Sequence, residues 1–327
     1  MSQEIQELLL IDGNGMGHAM LHQPELAEER CGDVLTGVMH GILTKVCQQL
    51  KRPGLLPLIV WDGYAKWRVD IHPGYKASRQ DTEEKKALRA VYDEQIKIVK
   101  KLLWLLGIPQ IRCFTTEADD LAGLICRQYT QRPIRLLTKD SDWWQALREG
   151  VTWEGLFTGK EVTESDLLAG AAGASVRSVR EFVLCKAIAG DSKDDVDGVP
   201  NVGIKTAAKY LAKYATFGEF IRAVAAGQEK TETAKNIAAR KDLIMRNRVL
   251  IDWTQAPEES LLPENISLLW APLQEDKARA IGERFELQEP IGYVLKHRKL
   301  PDAIVHEVLD EIRQVLALKA LPLEKAA

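Results

Sequence analysis

The chain lacks any run long enough to cross a bilayer. Its longest apolar stretches, Leu8 to Ile11 and Leu55 to Trp61, fall far short of the roughly 20 residues a spanning helix needs. The opening MSQEIQELLLIDG has two acidic residues and no basic one before its short apolar run ends at Asp12, so no secretory leader is expected and the reading is cytoplasmic. The five cysteines (Cys31, Cys47, Cys113, Cys126, Cys185) are odd in number and never form a CxxC pair. That argues against a disulfide framework or a zinc knuckle, and leaves reduced, mostly buried thiols. Internal repeats and low-complexity tracts are absent too. Gly13, Gly15 and Gly17 do not make a dinucleotide fingerprint, because His18 occupies the place of the third glycine.

A net charge of −3 gives no overall attraction for a polyanion, but the signs are segregated. Between Tyr64 and Lys101 ten basic residues stand against six acidic ones, and between Gly203 and Arg248 ten stand against four. These are two candidate phosphate-facing surfaces.

The first half alternates short β-type runs with helical patterns, which predicts an α/β core with a mostly parallel sheet flanked by helices. Strands are expected at Glu7 to Ile11, Pro57 to Trp61, Ile108 to Arg112 and Ile134 to Leu137, with Val151 to Trp153 as an edge. Helices are expected at Asp33 to Leu50, Thr82 to Leu106, Thr116 to Tyr129 and shortly after Ser141. Asp62 to Asp81 reads as an ordered loop or arch. From about Val176 the pattern is helical, with segments at Ile204 to Tyr214, Phe217 to Ala225 and Thr231 to Asn247. The expected division is 1–175 for the α/β core with its arch (62–106), and 176–327 for a helical subdomain with a hairpin at 190–215 and a C-terminal extension.

The acids carry the strongest signal. Asp12 and Asp62 end the first two strands, Glu117, Asp119 and Asp120 open the helix after the third, and Asp140 with Asp142 follows the fourth. In an open α/β sheet these meet at the carboxyl edge, where ligands bind. Asp191 and Asp194 share a face if their segment is helical. Any one of these acids is explained by a turn or a helix start. Nine carboxylates in a small volume repel one another, and cations must offset that. Oxygen donors without His or Cys favour two Mg²⁺ ions, with Mn²⁺ as a substitute, over zinc. Without those nine charges the remainder would carry +6 instead of −3, a basic protein around an acidic pocket. Phosphodiester hydrolysis by two metals fits that combination.

Gly198 to Leu211, GVPNVGIKTAAKYL, has the layout of a helix-hairpin-helix. Its turn (Gly198, Val199, Val202, Gly203) feeds a helix N-terminus whose free amides can grip a DNA phosphate, with Lys205 and Thr206 beside them. Carbonyls of such a turn can also hold K⁺. Trp61, Trp104, Trp143 and Trp144 lie in apolar patterns and read as core. Tyr64, Trp67 and Tyr75 interleave with Lys66, Arg68, Lys76 and Arg79, which suits single-stranded nucleic acid.

Together, IDGNG at Ile11, WDGYAKWRVDIHPGYKASR at Trp61, TTEADDLAGLI at Thr115, LLTKDSDWWQAL at Leu136 and GDSKDDVDGVPNVGIKTAAKYL at Gly190 resemble, in order, the motifs of 5′-nucleases. The likeness is to phage-type flap endonucleases and the 5′-nuclease domain of bacterial DNA polymerase I, over about Leu8 to Asp252. It implies a PIN-like core, an arch that threads a 5′ single strand and a hairpin on the downstream duplex. By motif, Asp12, Asp62, Glu117, Asp119 and Asp120 would form one metal group, and Asp140, Asp142, Asp191 and Asp194 the other. Lys76 and Arg79 would meet the scissile phosphate, Tyr75 would stack a terminal base, and Arg68 would face DNA. Asp62 and Asp142, with Lys76 and Arg79, are the residues expected to carry catalysis. No polymerase-type segment follows, which implies a stand-alone form.

Some positions depart from the pattern: Asp195 stands where the family usually has Asn and Asp197 adds a further acid, Ala19 lies where a basic residue is frequent, which leaves His18 as the candidate phosphate contact, and Asn201 replaces a frequent glycine. The implied substrate is DNA with a 5′ flap, a 5′ overhang or an RNA primer, cut by a monomer in a bacterial or phage-infected cytoplasm. Two alternatives stand beside it: a PIN-like ribonuclease acting on RNA alone, and a non-catalytic structure-specific DNA-binding protein.

Overall fold

A computed structural model describes residues 5–80 and 82–318. The outer ends of both expected domains, residues 1–4 and 319–327, and Asp81 at the end of the expected loop lie outside the described residues. In chain order the elements around the site are β1 (Glu7–Asp12), α1 (Gly13–Leu21), α2 (Gly37–Leu50), β2 (Leu55–Trp61), α3 (Lys66–Ile71), α4 (Glu83–Leu105), β3 (Gln110–Cys113), α5 (Ala118–Gln128), β4 (Ile134–Thr138), β5 (Val151–Gly155), β6 (Glu161–Val162), α6 (Val179–Ala189), α7 (Ile204–Leu211) and β7 (Ile266–Leu269).

The seven strands form one sheet in the order β7-β3-β2-β1-β4-β5-β6. All pairings are parallel except β7 with β3 and β6 with β5 at the two edges. This is the expected α/β, mostly parallel sheet. Alternation along the central strands divides the apolar residues between its two faces. Leu8, Leu10, Leu58 and Val60 pack with α5 and α6. Leu9, Ile11, Ile59 and Trp61 pack with α1, α2 and α4. With both faces covered, β2 is buried along its whole length, as parallel strands are.

The differences from the sequence reading have local causes. Residues 13–21, read only as a loose glycine run, form α1, because Asp12 caps the helix and three glycines let it press against its neighbours. A Cβ on Gly13 would lie 2.6 Å from the Trp61 ring, and one on Gly17 2.9 Å from Tyr92. The helix expected from Asp33 begins at Gly37, since Val34–Leu35 pairs with Arg30–Cys31. The helix expected over 231–247 is two, Glu232–Ala239 and Lys241–Ile251, broken at Arg240. The C-terminal segment, grouped with the helical subdomain on sequence, returns to the core: β7 extends the sheet beside β3, and the helix Gln288–His297 packs on α2. Among the described residues no helix is long and apolar enough to cross a membrane.

Candidate active site

The strand order reverses at β1: β2 and β3 follow on one side, and β4 lies on the other. The crevice at the carboxyl ends there is the usual ligand position of such a sheet. Asp12 ends β1, and its two oxygens accept from the Gly15 amide (2.7 Å) and the Thr138 hydroxyl (2.8 Å). A Cβ on Gly15 would stand 2.0 Å from this carboxylate, so glycine is required there. Asp62 follows β2; its amide donates to Asn14 Oδ1 (3.0 Å) and its carboxylate accepts the Ala118 amide at the start of α5 (2.9 Å). Asp119, in the first turn of α5, accepts the Trp143 indole N–H (2.8 Å). Asp140 accepts the Asp142 amide (3.1 Å). Trp143 is core, as expected, and also orients Asp119.

Among the described residues none of these four acids pairs with a basic side chain within 4 Å, and three are held above the ordinary carboxylate range. Burial, then the charge of Asp62, pushes Asp12 up to about 7. Burial and Glu117 raise Asp62, and burial with Asp140 and Asp12 raises Asp119 well above its usual value.

The facing acids are neutralised from within the chain. Glu117 accepts Lys76 Nζ (2.5 Å) and the Tyr75 hydroxyl (2.9 Å). Burial opposes its charge, but Lys76 and Arg68 bring it down to about 2. Asp194 accepts Arg79 (2.6 Å) and the same Tyr75 hydroxyl (3.0 Å). Asp142 pairs with Lys186 Nζ, which lies 3.5 Å from Asp191. Burial raises Asp142 to about 7 against the pull of Lys186. One crevice is lined by Glu117, Asp119, Asp142, Asp191 and Asp194 together with Tyr75 and Arg68.

Several sequence expectations need correction. Asp120, expected as a metal ligand, is fully buried and spends both oxygens on the Arg68 guanidinium (2.6 and 2.7 Å). Arg68 is therefore 2% exposed and does not face DNA. Tyr75 is 8% exposed with its hydroxyl between two acids, so its ring is no open stacking platform. Asp191 and Asp194 do not share a face: Asp191 caps a 3₁₀ turn and looks to Lys186, whereas Asp194 looks to the arch. Asp195 bonds the Ser78 amide (2.9 Å) and pins the arch turn. His18 stacks on Tyr92, and burial with nearby Arg89 lowers it to about 4, so it offers no positive charge to a phosphate at neutral pH. Sequence reasoning missed Lys186; its one signal was a lysine amid the apolar VLCKAIA of α6.

The described residues hold no ready-made cage of three or more acid, histidine or thiol ligands. The ion pairs to Lys76, Arg79 and Lys186 engage several of the expected ligands. The residues nonetheless fit a hard divalent ion: the donors are all oxygen, and Asp12, Asp62 and Asp119 are buried against one another's charge.

The hairpin lies beyond α6. Gly190 has φ +77 and Gly198 presses on the Ala189 carbonyl, where a Cβ would be 2.0 Å away. Asn201 takes φ 61, the left-handed conformation asparagine tolerates. Val199 and Val202, expected to touch DNA, turn their side chains into the core at 2% and 5% exposure and anchor the turn. Gly203 starts α7 without a side-chain cap, so the first-turn amides and exposed Lys205 form the outward end, with Thr206 half-buried beside them.

Residues 7–169 match the family model for the 5′-3′ exonuclease N-terminal, resolvase-like domain. The chain belongs to the 5′-nuclease family. The chain is 28% identical over 271 residues to DNA polymerase I of Mycobacterium tuberculosis, covering 80% of this chain and 28% of the polymerase. It is 27% identical over 283 residues to a 5′-3′ exonuclease of the same organism, covering 81% of this chain and 87% of that one. The chain thus spans about a quarter of the length of the polymerases it matches. Its fold is similar to that of a phage T5 flap endonuclease in a pseudo-enzyme-product complex with DNA and metal ions, at TM-score 0.60 and 21% identity over 90% of this chain and 100% of that one.

Proposed function

We propose that this protein is a structure-specific, Mg²⁺-dependent 5′-nuclease that hydrolyses phosphodiesters near the 5′ ends and flap junctions of DNA, RNA primers included. The observation that carries the reading is the meeting of Lys76 and Arg79 from the arch with Glu117 and Asp194 in the crevice where the strand-end acids converge. The T5 flap endonuclease complex, which contains DNA and metal ions, supports the same reading.

Asp12, Asp62, Glu117 and Asp119 would hold one ion, and Asp140, Asp142, Asp191 and Asp194 the other. When bound, two divalent ions supply counter-charge to these acids and Lewis acidity toward a phosphodiester and its attacking water. The chain's own residues do the rest. Thr138, Gly15, Ala118 and Trp143 fix Asp12, Asp62 and Asp119 through neutral donors, and among the described residues no basic side chain pairs with these three. Lys76 and Arg79 exchange their carboxylate partners for the scissile phosphate and orient it. The α7 amides, with Lys205, take the duplex backbone away from the reacting centre, and K⁺ is the cation assigned to the hairpin carbonyls. The protein is read as a monomer working in the cytoplasm.

The test is cleavage of a 5′-labelled flap duplex with Mg²⁺ and with EDTA, beside a single-stranded RNA control. Mg²⁺-dependent release near the junction with the RNA spared is the expected result. Tight flap binding without cutting would select the non-catalytic module, and cutting of RNA alone the ribonuclease.

A further inference from the structure

Lys186 is a nearly fully buried ammonium that the hydrolytic mechanism above does not use. It sits in the last turn of α6, whose Phe182, Val183, Cys185, Ala187 and Ile188 are all buried, and is itself only 7% exposed. Its Nζ pairs with Asp142, in the turn after β4, and stands 3.5 Å from Asp191. The backbone brings both acids to it. The Gly190 amide bonds the Lys186 carbonyl, and the φ of +77 at Gly190 folds Asp191 back toward the helix. A side chain on Gly190 would strike the Gly198 amide at 2.3 Å, so this turn accepts only glycine. Asp140 adds further negative charge close by.

We propose that Lys186 is the resident counter-ion of Asp142 and Asp191: a positioning residue that holds the two carboxylates together before metal arrives and competes with a divalent ion for them. The proposal rests on the metal-dependent reading of the crevice. An ammonium between two carboxylates does part of what a divalent cation would do, at half the charge. A cation entering this half of the site must therefore displace it, whereas in the other half the only ligand paired with a basic side chain among the described residues is Glu117, held by Lys76 and Arg68, and Asp12, Asp62 and Asp119 have no such partner within 4 Å. The two halves then fill unequally, the half beside Lys186 last.

The test titrates Mn²⁺ alone into the whole protein and into Lys186→Met by calorimetry, and follows thermal unfolding of both in EDTA. In Lys186→Met the weaker ion should bind at least about tenfold more tightly, because opposite charges so close interact strongly in a partly buried site. The same variant should lose several degrees of melting temperature in EDTA and regain them in Mn²⁺. Lys186→Arg, which keeps the charge, should restore wild-type uptake. Equal Mn²⁺ affinity and stoichiometry in wild type and Lys186→Met overturns the competition while leaving the nuclease reading intact. Absence of uptake by wild type overturns both. If Lys186→Met fails to fold in either medium, the Lys186 ammonium signal of the wild-type protein is followed by NMR: a shift as Mn²⁺ or Mg²⁺ saturates supports displacement, and an unmoved signal refutes it.

Discussion

Asp12, Asp62 and Asp119, at the carboxyl edge of the sheet, differ from Asp142, Asp191 and Asp194 in what stands against their charge. The first set is held by amides, a hydroxyl and an indole N–H, and burial with mutual repulsion pushes its members up. In the second set Asp142 and Asp194 are paired with Lys186 and Arg79, and Asp191 lies 3.5 Å from Lys186. Neutral donors fix a carboxylate's position without neutralising it, which leaves it eager for an external cation. Internal ion pairs make the fold self-sufficient but place a competitor at the ligand. Asp120 is the limiting case: fully buried and bidentate with Arg68, it serves the fold alone.

Substitutions that cancel one side of this contrast have the largest expected effects. Asp62→Asn should lower single-turnover flap cleavage by about 10³-fold or more, with flap binding retained. Retained turnover would remove Asp62 from the metal group. Asp120→Ala should leave Arg68 buried and unpaired and cost about 3–5 kcal/mol in urea unfolding, without weakening Mn²⁺ affinity in the folded fraction. Weakened affinity would return Asp120 to the ligands. Lys76→Ala should slow cleavage by about 10²-fold, since it removes one donor at the phosphate; an unchanged rate rejects that role.

The smallest effect is in pH. Asp12 and Asp142 titrate near 7 in the folded chain against an ordinary 3.8. A raised folded value stabilises the fold in full below the unfolded value and ceases to as pH rises through about 7. The melting temperature in EDTA should therefore fall from about pH 4 to about pH 7 and level off above, and saturating Mg²⁺ should flatten the upper part of that slope. A slope unaffected by Mg²⁺ would show that these acids do not meet the ion.

Much of this was legible in the sequence, for reasons that differ by element. Apolar runs and the acids that end them are local signals, so the parallel sheet, and Asp12 and Asp62 at the ends of its first two long strands, were legible. The pairing of Asp120 with Arg68 was hidden, because an acid in a first helical turn reads alike whether a metal or a distant guanidinium meets it. Lys186 was hidden because its partners lie 44 and 5 residues away and only the fold joins them. Gly13, Gly15 and Gly17 were legible as a run but not in purpose, since the close approach of Asp12, Trp61 and Tyr92 is tertiary. β7 was missed because a four-residue edge strand in a proline-rich quarter carries too short a period.

On the proposed reading, the strand-end acids need a divalent ion to act on DNA. The most direct measurement is Mn²⁺ uptake by calorimetry on wild type and Asp62→Asn, with flap cleavage assayed on the same samples. Wild type should take up the ion and cut, and Asp62→Asn should lose both together. Cleavage by wild type in EDTA, or full uptake and turnover by Asp62→Asn, would contradict that reading.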